Sequence, residues 1–335
     1  MYNPVAFAAA LLTQGDVFLF IDAVKLGEEA AQHLAEAGVT VKPYNALLPE
    51  LRSLKPKPLA PAPPIAPPAG AAPASPADSG DNINGSSSGD GAGEGGMGKV
   101  LMSSSLNLAV REAVPASLVL ERASPIALAK AIKNEQELQG MREAHVRDGV
   151  ALTRFLSWLE RAMAAGEAGG GGGVGWPLTE FTVAEKLNCF RKEQAGYVSL
   201  SFATISGYGP NGAIIHYSAR KDSAMALGTD NLFLLDSGAQ YTDGTTDVTR
   251  TLHFGSPTEH QRRCFTLVLK GHIALARAVF PEDTMGSKLD VLARMALWEA
   301  GLDYRHGTGH GVGAFLNVHE GPHGIHYRIR PDEQE

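Results

Sequence analysis

Apolar and polar positions alternate along the first forty residues in short runs. VAFAAALL and VFLFID, parted by the turn TQGD, read as two hairpin strands near 5–12 and 17–22. A helical pattern near 26–37 stops at Gly38, and VTVKPY reads as another strand. This α/β piece over 1–53 is too small to bury a full core alone. The pattern then lapses: nine prolines fall between Pro56 and Pro76, followed by SGDNINGSSSGDGAGEGGMG. Proline-rich and glycine/serine-rich chain cannot form a core, so 54–99 is expected to be a disordered linker. A second glycine run lies at 169–173.

Periodic signals resume at 100. Ser124 and Pro125 open SPIALAKAIKN as N-cap and first helical residue. Asn134 and Glu137 form a capping pair for a helix reaching about 164, its apolar positions including Leu138, Met141, His145, Leu152, Leu156, Leu159 and Met163. Thr182 with Glu185 caps a helix ending near Gly196. FATIS and AIIHY flank the loop GYGPNG as short β-rich runs, and NLFLLDSGAQY and TTDVTRTLHF are two more. SPTE at 256–259 caps a long helix to about Phe280, and Ser287 with Asp290 caps another that ends at Gly301. Helices on an antiparallel sheet make 100–335 an α+β domain.

Composition adds exclusions. With net charge −7 and scattered basic residues, no nucleic acid and no anionic membrane surface is expected as a partner. Two cysteines are too few for a disulfide framework and fit a reducing, cytoplasmic setting. The N-terminal apolar stretch lacks a basic region before it, so it reads as strand rather than signal peptide.

Three stretches carry candidate chemistry. In DSGAQYTDGTTDVTRT, Asp236 and Asp247 end apolar strands, where aspartate is a poor residue without a partner. A turn at Asp243-Gly244 would set residue 236 opposite 251, leaving the two carboxylates about four strand steps, roughly 13 Å, apart. A looser connection would bring them together, and spacing alone does not choose. HGTGHGVGAFLNVHEGPHGIH holds five of the eleven histidines. Its alternating glycines argue against a helix and strip one face for close approach of a backbone or ligand. The bland alternative is a glycine-rich turn. In GPNGAIIHY, His216 shares a strand face with Ile214, and a core histidine is the commoner explanation. Taken together, Asp236, Asp247 and His310 form an oxygen-rich set suited to Mn²⁺, Co²⁺ or Zn²⁺ at a hydrolytic site.

AIIHY, LLDSGAQYTDGTTDVTRTLHFG and LDYRHGTGHGVGAFLNVHEGP strongly resemble the Xaa-Pro aminopeptidases (aminopeptidase P) of the cytosolic eukaryotic type. The resemblance covers nearly all of 100–326 and, more loosely, 1–53. It implies the pita-bread fold, preceded by a partial creatinase-like domain, and two divalent metal ions, usually Mn²⁺. It implies Asp236, Asp247 and His310 as metal ligands, with Asp247 bridging. His216, His306 and His319 match the histidines that bind substrate and stabilise the tetrahedral intermediate. It implies peptides with penultimate proline as partners, attacked by a metal-bound hydroxide, and homodimerisation. Two further glutamate ligands expected by the resemblance do not occur before RIRPDEQE, and Glu320 and Glu333 stand in the wrong context. The expectation is therefore a chain truncated at both ends. A catalytically dead pita-bread module that binds peptides or serves as a scaffold is the alternative; intact ligand positions favour the enzyme.

Overall fold

A computed structural model of the chain describes residues 7–54, 98–165 and 177–328. Residues 55–97 and the glycine run at 169–173, on which the linker readings fall, lie outside the described residues, as does Glu333. Two compact units emerge, Ala6–Ser124 and a second built mainly from Pro125–Glu335.

In the smaller unit, β1 (Ala8–Leu12) and β2 (Val17–Ile21) form the expected antiparallel hairpin. Helix α1 (Glu28–Glu36) ends before Gly38, whose φ of 72° stops it, and β3 (Val39–Pro43) returns parallel to β2. Helix α2 (Leu47–Ser53), β4 (Val100–Met102), α3 (Leu108–Glu112) and β5 (Val119–Glu121) complete it. Met102, Ala113 and Val114 share one buried cluster with Phe20, Leu47 and Leu51. Residues 100–124, expected in the larger domain, thus pack in the smaller unit: the fragment over 1–53 lacks apolar surface and takes the rest from residues 100–124.

The larger unit opens with α4 (Pro125–Ala131) and the 30-residue α5 (Glu135–Ala164), which starts on the expected Asn134–Glu137 capping box. Helix α6 (Glu180–Lys192) is capped by Thr179 with Thr182, three residues earlier than Thr182–Glu185 would have it. Strands β6 (Tyr197–Leu200), β7 (Ile205–Tyr208), β8 (Leu232–Ser237), β9 (Ala239–Tyr241), β10 (Gly244–Thr245) and β11 (Val248–His253) build two antiparallel sheets, ordered β11-β8-β7 and β10-β9-β6. AIIHY is not a strand. A 3-10 turn over Gly209–Ala213 precedes it, and Ile214 and Ile215 are exposed, so His216 sits on a loop rather than a core face. Phe155 and Leu159 of α5 and Val183 and Leu187 of α6 pack on Phe233 and Leu235 of β8.

Helices α7 (Glu259–Ala276) and α8 (Gly286–Trp298) follow, then β12 (Gly309–Gly311) and β13 (Glu320–Ile325), an antiparallel pair with a bulge after His310. Thr258, within the SPTE stretch expected to cap α7, is its N-cap and pairs with Gln261. Helix α8 has no side-chain cap: Asp290, expected to complete one with Ser287, is buried and pairs with Arg294.

Candidate metal centre

The β8–β11 segment is one hairpin with an interruption. Tyr241 pairs with Gly244 and Gln240 with Thr245, so the turn is Thr242-Asp243, one residue earlier than Asp243-Gly244. Arg147 of α5 holds the Asp243 carboxylate, and Ala144 of α5 packs against Ala239 and Tyr241, which fixes the turn at that residue. A one-residue shift of a turn moves the pairing by two and keeps every side chain on its face. Asp236 is therefore opposite Thr249, not residue 251, and only two residues from Asp247 along the partner strand. Diagonal neighbours on one face of a sheet are within reach of each other. This register brings Asp247 and Thr249 close enough to act on the Asp236 carboxyl. Burial, with the neighbouring Asp247 charge adding to it, pushes the Asp236 carboxyl above its usual range, although Thr249 acts to lower it.

His310 arrives from β12, its Nε2 3.2 Å from Asp247 Oδ2. Its Nδ1–H donates to the Gly311 carbonyl at 2.8 Å, since a carbonyl only accepts; that bond selects the ring face turned to Asp247. The Asp247 hydrogen bond raises the His310 pKa against the lowering effect of burial. The His319 ring lies 4.0 Å from that of His310, and Asp247, His310 and His319 each offer a ligand atom, all within 4.8 Å of one another. The glycine alternation serves close approach here: a Cβ on Gly311 would lie 2.3 Å from the Glu320 carbonyl across the β12–β13 pair.

The other two predicted histidines stand differently. His306 is exposed, donates from Nδ1 to the Gly307 carbonyl at 2.7 Å, and stacks on Tyr304 at 4.6 Å. His216 is exposed on its loop. No described contact joins either to Asp247 or His310. Glu320, one residue past His319, is held by Lys133 at 2.9 Å and Lys130 at 3.2 Å, which sets its carboxyl below the usual range although burial opposes this.

Sequence reading missed the supports beneath the site. Asp148 of α5 and Arg191 of α6 form a fully buried bidentate pair at 2.8 and 2.9 Å. Arg191 also donates to Ser237 beside Asp236, and Tyr241 donates to Asp148. The signal was present: Asp148 lies on the stripe Ala144, Ala151, Leu152, Phe155, and Arg191 continues Val183, Leu187 at intervals of four. Glu180, in the first turn of α6, is fully buried and accepts from the backbone N–H groups of Tyr208 and Met225, from Asn211 Nδ2 and from Tyr217 Oη. It thereby anchors both ends of the loop carrying His216. Burial and the Glu180 bond push the Tyr217 hydroxyl up to about 12.

A cation fits this donor set. Asp236 Oδ1 is buried without a hydrogen-bond partner, and a buried carboxylate oxygen left so is costly unless an ion or water takes it up. Two carboxylates with imidazole suit a hard or borderline divalent ion.

Comparisons with known proteins agree with this chemistry. Residues 139–335 match the model described as metallopeptidase family M24, and residues 1–137 the creatinase/prolidase N-terminal domain. Aminopeptidase P1 of Lotus japonicus is 42% identical over 343 residues, covering 98% of this chain and 52% of that protein. The crystal structure described as X-prolyl aminopeptidase from Caenorhabditis elegans, a cytosolic enzyme with a di-nuclear active site, superposes with a TM-score of 0.79. It is 36% identical, with 97% of this chain and 47% of that one covered. The Xaa-Pro dipeptidase from Bacillus anthracis, 20% identical with a TM-score of 0.66 over 97% of this chain and 76% of its own, shares the fold. The chain spans about half the length of the curated relatives it matches.

Proposed function

The chain belongs to metallopeptidase family M24, with the pita-bread fold behind a creatinase-type N-terminal domain, and from that premise we propose that it serves as a metal-dependent Xaa-Pro aminopeptidase. The reaction is release of the N-terminal residue from peptides with proline second. The observation that carries the proposal is the convergence of Asp247, His310 and His319 beside the partnerless buried oxygen of Asp236. Asp236, Asp247 and His310 would hold the divalent metal ions. Such ions, when bound, polarise a scissile carbonyl and lower the pKa of water.

The chain's own residues orient and exclude. The Nδ1–H bond of His310 to Gly311 leaves Nε2 as the free ring nitrogen on the Asp247 side. The corresponding bond of His306 to Gly307 likewise turns its Nε2 outward, where it can contact a peptide. His319, His306 and His216 are assigned to substrate binding and to hydrogen bonds with the developing oxyanion. Glu320 is occupied by Lys130 and Lys133, so it contributes charge balance near His319 rather than a ligand. Manganese as the metal, a cytoplasmic site of action and homodimeric assembly complete the proposal, the last resting on family resemblance alone. The cytosolic description of the C. elegans neighbour supports the second, and no helix among the described residues is long and apolar enough to cross a membrane.

The test is hydrolysis of a short Xaa-Pro peptide with added Mn²⁺, with an Xaa-Ala peptide as comparison. Residue release confined to the proline peptide and lost in Asp247→Asn is expected. Peptide and Mn²⁺ binding without release would favour a non-catalytic peptide-binding module. Activity unaffected by Asp247→Asn would overturn the site.

A further inference from the structure

Arg294 of α8 lies outside the ligand set, is 1% exposed, and is among the largest fully buried side chains. A buried guanidinium is costly unless every donor finds an acceptor. Here all five N–H groups do. Nε donates to Asp290 Oδ2 at 2.6 Å, and Nη2 donates to Asp290 Oδ1 at 3.3 Å and to the His306 carbonyl at 2.8 Å. Nη1 donates to Asp303 Oδ1 at 2.9 Å and to the Tyr304 carbonyl at 2.5 Å.

Three of those five bonds end in residues 303–306, a stretch that is neither helix nor strand and leads directly into β12. The aromatic contacts run the same way. The Tyr304 ring covers the guanidinium at 3.8 Å, and the His306 ring stacks on Tyr304 at 4.6 Å. Thr308 closes the circuit: its hydroxyl donates to Asp290 Oδ1 at 2.5 Å and lies 2.5 Å from Tyr304 Oη, while its backbone N–H donates to the Ile325 carbonyl. His310 is two residues further on.

We infer that Arg294, oriented by Asp290, is a positioning residue that fixes the backbone of the 303–308 segment and so sets where His306 stands and presents His310 to Asp247. A compact ammonium could neutralise Asp290, but it could not also reach Asp303 and two carbonyls in a fixed fork. The role therefore belongs to guanidinium geometry and not to charge alone. The inference rests on the reading of His310 as a metal ligand.

The experiment uses the full chain and Mn²⁺ alone, titrated calorimetrically, with amide hydrogen exchange at 303–311 as a second readout. Arg294→Lys keeps the charge, and Thr308→Val removes one anchor to Asp290 while leaving the Arg294 side chain itself in place. Supporting residues behind metal ligands commonly contribute 10–100-fold to affinity. Arg294→Lys should weaken Mn²⁺ binding by about that factor and speed exchange at 306–310, and Thr308→Val should do the same more mildly while remaining folded. Mn²⁺ affinity within twofold of wild type and unchanged exchange in both folded variants would overturn the inference, leaving Arg294 a structural pair. If Arg294→Lys does not fold, Thr308→Val decides alone. His310→Ala separates the two readings. If it binds Mn²⁺ as wild type, the ligand assignment fails, and the exchange rates still decide whether Arg294 holds the segment.

Discussion

Replacing Asp148 by alanine strands Arg191, which has 0% exposure and donates two of its bonds to that carboxylate. Tyr241 Oη loses its acceptor at the same time. Breaking a buried pair by removing one partner costs about 3–5 kcal/mol, mostly from the charge left behind. For a unit of this size each kcal/mol is worth about 2–4 °C, so the melting temperature should fall by about 10 °C. The double replacement Asp148→Leu with Arg191→Met removes the stranded charge and should recover more than half of the loss. It should not recover all, because Tyr241 Oη still lacks a partner at about 1–3 kcal/mol. Urea denaturation of the wild type, Asp148→Ala and the double variant gives the three stabilities directly. The reasoning is refuted if Asp148→Ala costs under about 1 kcal/mol, a value no buried unpaired guanidinium allows, or if the double variant is less stable than Asp148→Ala. Mn²⁺ affinity separates stability from support: the double variant should still bind more weakly, because Ser237, next to Asp236, has lost its Arg191 donor.

Gly238 lies between the two interrupted parts of the hairpin, and a Cβ there would sit 2.0 Å from the Thr246 carbonyl and 2.3 Å from Ser201 Oγ. Gly238→Ala should cost about 1–3 kcal/mol by overpacking, measured by denaturation, and should weaken Mn²⁺ binding by parting Asp236 from Asp247. Glu180→Gln turns an amide NH₂ toward groups that are themselves donors, so about 1–3 kcal/mol should be lost and amide exchange over 208–225 should quicken. In the metal-free chain, an NMR titration should place His310 above the ordinary histidine range, and Asp247→Asn should bring it down. Because the folded value is raised, the pair's stabilisation is complete below about pH 6.5 and fades as pH rises through the elevated value.

Local sequence determined most elements and the chemistry they carry. The Asn134–Glu137 box, Thr258, Pro125 and the stop at Gly38 all lie where propensity and capping put them, because these signals act within one helical turn. The motifs holding Asp236, Asp247 and His310, the proposed ligands, were legible for the same reason: donor chemistry is written in residue type. Where the structure departed, a partner distant in sequence decided. The turn fell at Thr242-Asp243 because Arg147 and Ala144 of α5 seat it, and that single step brought Asp236 within reach of Asp247. Asp290 left its predicted cap for Arg294 and Thr308, and AIIHY gave up its strand once Tyr217, directly after His216, donated to Glu180. Residues 100–124 joined the smaller unit because Phe20, Leu47 and Leu51 needed covering. Burial of charge is the common thread. Asp148, Arg191, Glu180 and Arg294 lie on apolar stripes, and which partner satisfies each one is decided across tens of residues, where only the packed structure supplies the answer.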